Sequence, residues 1–169
     1  MKTSMLRRMP LLGCAAALIL MLTPSSARAA DFVVITKQVN VNRPAGDVWK
    51  RIGDYCAIAE WLKVTCNLTS GKGEIGTVRR LNSTTVELMV GKSNHSYTYW
   101  QTVGNMSPTS YHGTLSVEAV DTSTSRLTYV LLYDQSALAS DALRASEHER
   151  ISTRFQGALD TMKGLAEAK

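Results

Sequence analysis

The sequence lacks a hydrophobic run long enough to cross a membrane as a helix. Its longest apolar stretch, from Leu11 to Leu22, has 12 residues. A bilayer core needs roughly 20 residues in a helix. Basic residues precede this stretch and small residues follow it up to Ala29, which is the layout of a cleaved secretory signal. We therefore expect a signal peptide at residues 1–29, and a mature domain at residues 30–169 that is periplasmic or secreted and has no stable membrane anchor.

Concentrated positive charge is also lacking outside this leader. The whole chain has a formal charge of +5, from 19 basic and 14 acidic residues. Four of the basic residues belong to the leader, namely Lys2, Arg7, Arg8 and Arg28. The mature domain therefore keeps 15 basic residues and a charge of +1, without a basic run. A phosphate backbone meets no concentrated field there, and we expect no nucleic-acid partner.

The chain also lacks the motifs from which catalysis or metal binding is usually recognised. Its three histidines, His95, His112 and His148, fall in a turn, on the expected outer face of a strand and on a helix. Nothing brings them together as metal ligands or as an acid and a base. No Gly-x-Ser-x-Gly nucleophile motif is present either. We therefore expect no metal and no cofactor, and no catalytic residue is assigned from a motif.

Two cysteines, Cys56 and Cys66, remain in the mature domain. Export would place them in an oxidising compartment, where a disulfide between them can form. Two separate buried thiols are the alternative. The sequence leaves both open.

The mature residues contain no linker, repeat or low-complexity segment, and about 140 residues suit one domain with one core. Alternating β-branched residues predict a first strand from Phe32 to Val41. Helical spacing then predicts a short helix that breaks near Gly53 and a second one that runs to about Trp61. Turn signals divide the next segment, Leu62 to Gln135, into six strands. Their short connections imply an antiparallel meander.

The C-terminal part returns to a helical period. Apolar residues recur at three- and four-residue steps from Ile151 to Ala166, and we expect the helix to begin between Ala137 and Asp141. The opposite stripe is charged and should face water: Arg150, Arg154, Asp160 and Lys163. The predicted fold is α+β, with a curved seven-stranded antiparallel sheet around the long helix and two short helices between strands 1 and 2. Such packing often leaves a cavity between sheet and helix.

Short motifs of the mature domain resemble a known superfamily. They are Arg43-Pro44-Ala45-Gly46-Asp47-Val48-Trp49, Trp61, Gly76-Thr77-Val78-Arg79-Arg80, Glu87, Tyr97 to Tyr99, Tyr111 and Gly157-Ala158-Leu159. In these the chain resembles the SRPBCC superfamily, which includes START lipid-transfer domains and the major birch pollen allergen. It looks closest to an exported member of the bacterial polyketide cyclase/dehydrase and lipid transport branch. The resemblance implies a helix-grip fold whose cavity takes lipids, sterols or polyketides, and an accessory role beside a periplasmic redox enzyme as a further hypothesis.

Residues Gly71-Lys72-Gly73-Glu74-Ile75-Gly76 spell the dinucleotide-binding fingerprint Gly-x-Gly-x-x-Gly. That fingerprint needs a helix after it, so that the phosphate meets the helix N-terminus. Here a strand is expected to follow. A glycine-rich hairpin is therefore the better interpretation.

Two charged residues of neighbouring strands are expected to face each other. If Asn82 to Thr84 form a three-residue hairpin loop, Arg79 pairs with Glu87 and both point to the same side of the sheet. On the concave side the pair is partly buried and orients the polar head of a ligand. On the convex side it is an ordinary surface ion pair, which contributes little to the stability of the fold. The resemblance favours the concave side for Arg79 and Glu87. The apolar residues Val86 and Leu88 lie on the opposite face of the strand that contains Glu87, and they favour the convex side for the charged pair.

Tyrosines occur at odd-numbered residues of three predicted strands. Because successive side chains of a strand point to opposite faces of the sheet, the tyrosines of each strand lie on one face. Their rings give apolar walls with a polar hydroxyl, which suits either a ligand cavity or a plain core. Trp49 and Trp61 are expected in core and rim packing, and Trp100 on the outer face. The predicted ligand contacts are Trp61, Arg79, Glu87, Tyr97, Tyr99, Tyr111, Tyr129 and Tyr133.

Three functional hypotheses follow. The leading one is a periplasmic carrier or sensor of a small hydrophobic or amphipathic molecule held in an internal cavity. The alternative is an enzyme of the cyclase, dehydratase or isomerase kind, in which Arg79, Glu87 and one tyrosine act as general acid and base. The third is a protein that binds another periplasmic protein and has no working cavity.

Overall fold

The structure of the protein is a computed structural model that describes residues 29–168. The predicted signal peptide lies outside the described residues except for Ala29, and its cleavage stays a prediction. The strands are β1 (Phe32–Val41), β2 (Cys66–Ser70), β3 (Val78–Leu81), β4 (Thr85–Ser93), β5 (Ser96–Val103), β6 (His112–Ala119) and β7 (Ser125–Asp134). The α-helices are α1 (Ala45–Ile52), α2 (Ile58–Trp61) and α3 (Asp141–Glu167), and short 3-10 turns lie at Ser107–Thr109 and Gln135–Ala137.

All of these strands join one antiparallel sheet in the spatial order β1-β7-β6-β5-β4-β3-β2. Strands β2 to β7 each pair with their neighbours in the chain, as their short connections predict. Strand β1 pairs with β7 over its whole length, from Phe32 opposite Asp134 to Val41 opposite Ser125. The predicted α+β fold, a curved antiparallel sheet around a long C-terminal helix, is confirmed.

The hairpin between β3 and β4 sets the register of the charged pair. Its loop is Asn82 to Thr84, and both Asn82 (φ 46°) and Ser83 (φ 61°) have left-handed backbone. Asparagine visits this region more readily than most residues, because its short polar side chain forms local hydrogen bonds. In the resulting register Arg79 lies opposite Glu87, as the length of the loop predicts.

The core fills the space between the concave face of the sheet and α3. Strand β7 contributes four alternating, fully buried side chains: Leu127, Tyr129, Leu131 and Tyr133. The buried face of α3 consists of Ile151, Phe155, Ala158, Leu159 and Met162. The rings of Tyr129 and Phe155 pack with 4.5 Å between their centroids. Because burying a large apolar side chain stabilises a fold by roughly 1.5–3 kcal/mol, this face holds α3 on the sheet.

Helix α3 begins at Asp141, inside the predicted window that opens at Ala137. Ser140 is its N-cap, and the Ser140 hydroxyl accepts a hydrogen bond from the backbone N–H of Leu143 at 3.2 Å. Its apolar stripe faces the sheet, whereas Asp160 on the opposite stripe is exposed, as predicted. In residues 29–168 no helix, α3 included, combines the length and apolar character needed to cross a membrane.

The glycine-rich segment connects two strands. Strand β2 ends at Ser70 and β3 begins at Val78, so that no helix follows the glycines. Gly71 has a φ of 78°, which glycine adopts without strain. A Cβ on Gly71 would lie 2.4 Å from the hydroxyl oxygen of Thr77, so this turn has room only for glycine. The hairpin prediction is confirmed, and the dinucleotide interpretation does not hold here.

Cys56 and Cys66 form a disulfide, with 5.5 Å between their Cα atoms. Of the two alternatives that the sequence leaves open, the structure therefore has the paired cysteines. The bond joins the turn before α2 to the first residue of β2. It fixes α2 beside the end of the sheet, where Ile58 of α2 contributes to the cavity described next.

Candidate functional site

An internal cavity of about 210 Å³ lies between the concave face of the sheet and α3. Its wall mixes apolar and polar side chains. The apolar ones are Ile58, Leu62, Val64, Leu81, Met106, Ile151 and Phe155. The polar ones are Asn82, Thr85, Glu87, Tyr99, Gln101, Asn105, Tyr111, Arg150 and Arg154. Such a lining suits a molecule that is itself part apolar and part polar.

Arg79 and Glu87 form a buried ion pair at this wall. Arg79 is 0% exposed and Glu87 is 4% exposed. The guanidinium Nε donates a hydrogen bond to Glu87 Oε2 at 2.7 Å, and Nη2 lies 2.6 Å from the same oxygen. Nη1 donates to the backbone carbonyl of Tyr55 at 2.5 Å. The pair therefore lies on the concave side of the sheet, and the surface alternative does not apply.

Three tyrosine rings surround the guanidinium of Arg79. Its Cζ lies 4.1 Å from the ring centroid of Tyr55, 5.0 Å from that of Tyr99 and 5.7 Å from that of Tyr97. The faces of such rings attract cations. Burial by itself lowers the pKa of Arg79, but Glu87 and the tyrosines more than offset this, so that the pKa is raised well above its ordinary value. Arg79 thus supplies a permanent positive charge behind Glu87.

Glu87 and Gln101 present polar atoms to the floor of the cavity. They stand opposite each other on β4 and β5, and both are buried. Gln101 Oε1 accepts a hydrogen bond from the backbone N–H of Met106 at 2.9 Å, which leaves Nε2 as a donor. Because both contacts from Arg79 go to Oε2, Oε1 of Glu87 is left as an acceptor. Within residues 29–168 nothing bonds to Gln101 Nε2 or Glu87 Oε1.

Tyr99 and Tyr111 continue the wall beside this floor, with 6.2 Å between their ring centroids. The hydroxyls of Tyr99 and Tyr129 are hydrogen-bonded at 3.1 Å. The Tyr99 ring packs on Gly113 of β6, where a Cβ would lie 2.3 Å from the Tyr99 hydroxyl oxygen. Burial raises the pKa of both wall phenols. Tyr99 and Tyr111 are therefore neutral hydroxyls at physiological pH.

Arg150 and Arg154 of α3 form the mouth of the cavity, where both are exposed. Arg150 Nε donates a hydrogen bond to Glu147 Oε2 at 2.7 Å. Arg154, one helical turn further on, makes no ion pair with any residue that the structure describes. Arg154 also lines a shallow groove next to the cavity, together with Trp61 and Lys63. The mouth therefore has an excess of positive charge.

The sequence matches one known family over almost all of the described residues. The profile described as polyketide cyclase / dehydrase and lipid transport matches residues 33–167. The chain belongs to this family. The match covers every residue of the cavity wall and of the ion pair behind it. No curated protein matches the sequence.

Solved structures similar to this polyketide cyclase / dehydrase family member include two enzymes and one protein that is not named for an activity. The Zhui aromatase/cyclase from a Streptomyces species is 15% identical with a TM-score of 0.68, and the match covers 81% of this chain and 94% of that chain. Truncated norcoclaurine synthase from Thalictrum flavum is 18% identical with a TM-score of 0.63, covering 84% and 98%. Ara h 8.0201 is 15% identical with a TM-score of 0.64, covering 80% and 98%. At these identities the likeness shows the fold alone.

Three of the eight predicted ligand contacts line the cavity of this polyketide cyclase / dehydrase family member, namely Glu87, Tyr99 and Tyr111. The other five lie elsewhere: Arg79, Tyr97, Tyr129 and Tyr133 are buried in the core, and Trp61 lines the groove. The physical reason is that the concave face is larger than the cavity. Helix α3 covers it in front of β7, and α1 and the turn before α2 cover it near Tyr97, which packs on the rings of Trp49 and Tyr55.

Two details of the aromatic pattern refine the predictions. Tyr111 is not inside a strand, because β6 begins at His112, yet its side chain reaches the cavity from this position. Trp100 is 39% exposed on the outer face, as predicted, and its ring stacks on that of His112 with 6.0 Å between centroids.

The wall also contains polar residues that were not among the predicted contacts. Gln101 follows Tyr97 and Tyr99 at the period of two on β5, so that the pattern which selects these tyrosines also selects Gln101. Arg150 and Arg154 belong to the stripe of α3 that is expected to face water. Both are exposed to water, and both also line the cavity. No sequence signal marks these arginines, because only the packing of α3 places them at the mouth.

None of the three histidines lines this cavity, and each lies in a different element of the fold. His95 is in the turn between β4 and β5, His112 begins β6 on the outer face, and His148 is exposed on α3. No cluster of three or more candidate metal ligands occurs among the described residues. The absence of a metal or cofactor stays a prediction.

Proposed function

We propose that this protein binds a small amphipathic organic molecule in its internal cavity, and that it does so after export to the periplasm or the medium. One observation carries the proposal: Glu87 and Gln101 line the cavity with one acceptor and one donor that no residue of the described chain bonds. A hydrogen bond from a ligand to such an atom contributes about 0.5–1.5 kcal/mol, and about 1.5–3 kcal/mol where the protein group is charged. A ligand that supplies both partners gains this free energy.

The apolar part of the wall supports the same proposal. Ile58, Ile151 and Phe155 face the cavity from two helices and are themselves buried. Apolar ligand surface placed against such side chains is stabilised by roughly 25 cal/mol per Å² removed from water. Membership in a family described by polyketide chemistry and lipid transport fits a cavity that takes organic molecules.

Export is supported by the leader-like N-terminus and by the disulfide. A bond between Cys56 and Cys66 persists in an oxidising compartment and is rare in a reducing one. The third hypothesis, a protein that binds another periplasmic protein, stays a prediction. The accessory role beside a periplasmic redox enzyme, which the resemblance implies, stays a prediction as well.

The first test is a native mass spectrum of the protein, expressed with its leader and purified from the periplasm. We expect a mature chain that begins at Ala30, lacks two hydrogen atoms relative to the reduced chain, and carries a bound molecule that is released on denaturation. A chain that keeps its leader and stays in the cytoplasm would contradict export.

A matched pair of variants tests whether the molecule lies in this cavity. Thr85 lines the cavity, so that Thr85→Phe places a ring inside it. Val86, the next residue on β4, faces the other side of the sheet, and Val86→Phe is the control. We expect the bound mass to disappear in the first variant and to persist in the second. Equal occupancy in the two variants would place the ligand elsewhere.

A second candidate function is an enzyme of the cyclase or dehydratase kind. It is favoured by the presence of a carboxylate and two phenols, those of Glu87, Tyr99 and Tyr111, in one cavity wall. In a dehydration, Glu87 would take a proton from a carbon next to a carbonyl, a tyrosine would protonate the leaving hydroxyl to water, and the proton on Glu87 would return to that tyrosine. Burial raises the pKa of both phenols, which makes them weak acids and ranks this candidate second.

The Glu87→Gln variant distinguishes carrier from enzyme. An enzyme without its base would retain unreacted substrate, which is heavier than the molecule bound by the unaltered protein by one water. A carrier would retain the same molecule at lower occupancy. The measurement is the mass of the molecule released from each protein.

A further inference from the structure

We propose that the ligand is a hydroxylated organic acid about the size of one aromatic ring, with its hydroxyl between Glu87 and Gln101 and its carboxylate at Arg154. This inference rests on the proposed function. It adds the size of the ligand, its two polar groups and its orientation in the cavity.

The volume of the cavity limits the size of the ligand. The cavity measures about 210 Å³. An apolar cavity of about 150 Å³ is known to hold benzene, whereas drug-sized ligands occupy roughly 300–1,000 Å³. One ring with one or two small substituents therefore fits. A long acyl chain, a sterol or several fused rings would have to extend through the mouth into the adjacent groove.

The floor of the cavity offers one acceptor and one donor. Glu87 Oε1 accepts, and Gln101 Nε2 donates, from adjacent strands. A hydroxyl is the smallest group that donates and accepts at once, so that it offers the partner which each of these atoms needs. Arg79 already neutralises the charge of Glu87, and a cation is therefore not required. A carboxylate at the floor would face Glu87 Oε1 without a proton to donate to it.

The mouth offers a cation instead. The guanidinium of Arg150 is engaged by Glu147, whereas that of Arg154 has no ion partner among residues 29–168. Arg154 lines both the cavity and the adjacent groove, and Lys63 adds a second positive charge in that groove. An arginine fork matches the two oxygens of a carboxylate. The acid of the ligand is therefore expected at the mouth, opposite the hydroxyl.

The test measures the affinity of the ligand-free mature protein for small probes by isothermal titration calorimetry. The probes 4-hydroxybenzoate and 4-hydroxycinnamate carry both groups at two separations. Benzoate and cinnamate lack the hydroxyl, the methyl esters of the hydroxy acids lack the charge, and hexadecanoate combines the acid with a long chain. We expect at least one hydroxy acid to bind, its parent without the hydroxyl to bind about tenfold more weakly, and hexadecanoate not to bind.

Two exposed arginines provide a variant and its control. Arg154→Gln should weaken binding of the hydroxy acid about fivefold and abolish the preference for the acid over its methyl ester. Arg126, exposed on the outer face of β7, gives the same charge change away from the cavity. Arg126→Gln should leave all affinities as they are. Equal weakening by both substitutions would show that the acid is attracted by net charge and not by Arg154.

The outcomes separate this inference from the proposed function. If hexadecanoate or a neutral ester binds more tightly than both hydroxy acids, the ligand class is wrong while ligand binding in the cavity stands. If neither hydroxy acid binds, the inference is overturned as well. If, in addition, no probe binds and the periplasmic protein carries no molecule, the proposed function fails with it.

Discussion

Glu87 and Gln101 stand opposite each other on β4 and β5, and each keeps one polar atom that nothing in residues 29–168 bonds. The remaining atoms of both side chains are engaged by the fold: Arg79 contacts Glu87 Oε2, and the N–H of Met106 bonds Gln101 Oε1. The free acceptor and donor are therefore held in position before a ligand arrives. Such preorganisation lowers the entropic cost of binding.

Replacing Gln101 tests this arrangement. Gln101→Met removes the acceptor of the Met106 N–H, which is buried, and we expect the free energy of unfolding in urea to fall by about 1–3 kcal/mol. Gln38→Met is the matched control, because Gln38 is exposed on β1 and bonds only the Thr128 hydroxyl. Its effect should stay within about 0.5 kcal/mol. Equal effects of the two substitutions would mean that the contact with Met106 contributes nothing to stability.

The buried ion pair predicts a non-additive result. Glu87→Leu leaves the buried charge of Arg79 without its carboxylate, and the free energy of unfolding should fall by about 3–5 kcal/mol. The double variant Arg79→Met/Glu87→Leu removes both charges and should recover most of this loss. Urea denaturation of the three proteins measures the difference. A double variant no more stable than Glu87→Leu would show that Arg79 is held mainly by its other contacts, to Tyr55 and the surrounding rings.

Close packing of Gly113 on Tyr99 predicts a contrast between two glycines. Gly113→Ala places a Cβ 2.3 Å from the Tyr99 hydroxyl oxygen, so the ring must shift at a cost of about 1–3 kcal/mol. Gly157 on α3 has nothing within 4 Å of such a Cβ, and Gly157→Ala should raise the free energy of unfolding by about 0.5–1 kcal/mol. In a protein that already carries Tyr99→Leu, Gly113→Ala should lower the free energy of unfolding by less, because the ring that the new Cβ meets is gone. A cost independent of that background would place the strain outside this contact.

Much of the fold was predictable because local patterns determine it. The length of the Asn82–Thr84 loop fixes the register of β3 and β4, and this places Arg79 opposite Glu87 without further information. Short turns make the other consecutive strands from β2 to β7 antiparallel as well, whereas the pairing of β1 with β7 has no such local cause. The period of apolar residues on α3 identifies the face that packs on the sheet, from Ile151 to Met162. Each of these features depends on residues close in sequence.

The extent of the cavity was not predictable in the same way. Period two places Tyr99 and Tyr129 on the same concave face, but α3 and Phe155 cover Tyr129 while Tyr99 borders the empty space. Arg154 reaches the mouth for a similar reason, since its position depends on where α3 crosses the sheet. Such long-range packing leaves no mark on a single sequence, and it decides which side chains a ligand meets.

Removal of the disulfide should lower stability without changing the fold. The two cysteines are 10 residues apart, and releasing a loop of this length costs about 2–3 kcal/mol through the entropy of the unfolded chain. Cys56→Ala/Cys66→Ala is therefore expected to unfold at lower urea concentration with unchanged far-ultraviolet circular dichroism. Reduction of the unaltered protein should reproduce this shift, and it should have no effect on the variant. A shift on reducing the variant would point to another cause.

The tyrosines predict how stability changes at alkaline pH. Burial raises the pKa of all six phenols above the ordinary value of 10.0: Tyr55, Tyr97, Tyr99, Tyr111, Tyr129 and Tyr133. Well below pH 10 both states keep their phenolic protons, and this contribution to stability is complete. As the pH rises through about 10 the unfolded chain loses protons that the folded chain keeps, so the free energy of unfolding falls with rising pH.

The measurement is absorbance at the tyrosinate band together with circular dichroism, from neutral pH upward. We expect the absorbance to rise in one cooperative step that coincides with loss of the folded spectrum, at a pH above 10. Protein unfolded in urea is the control, and its phenols should titrate gradually around pH 10. A gradual titration centred there in the folded protein, with the circular dichroism intact, would mean that the rings around Arg79 and the cavity are open to water.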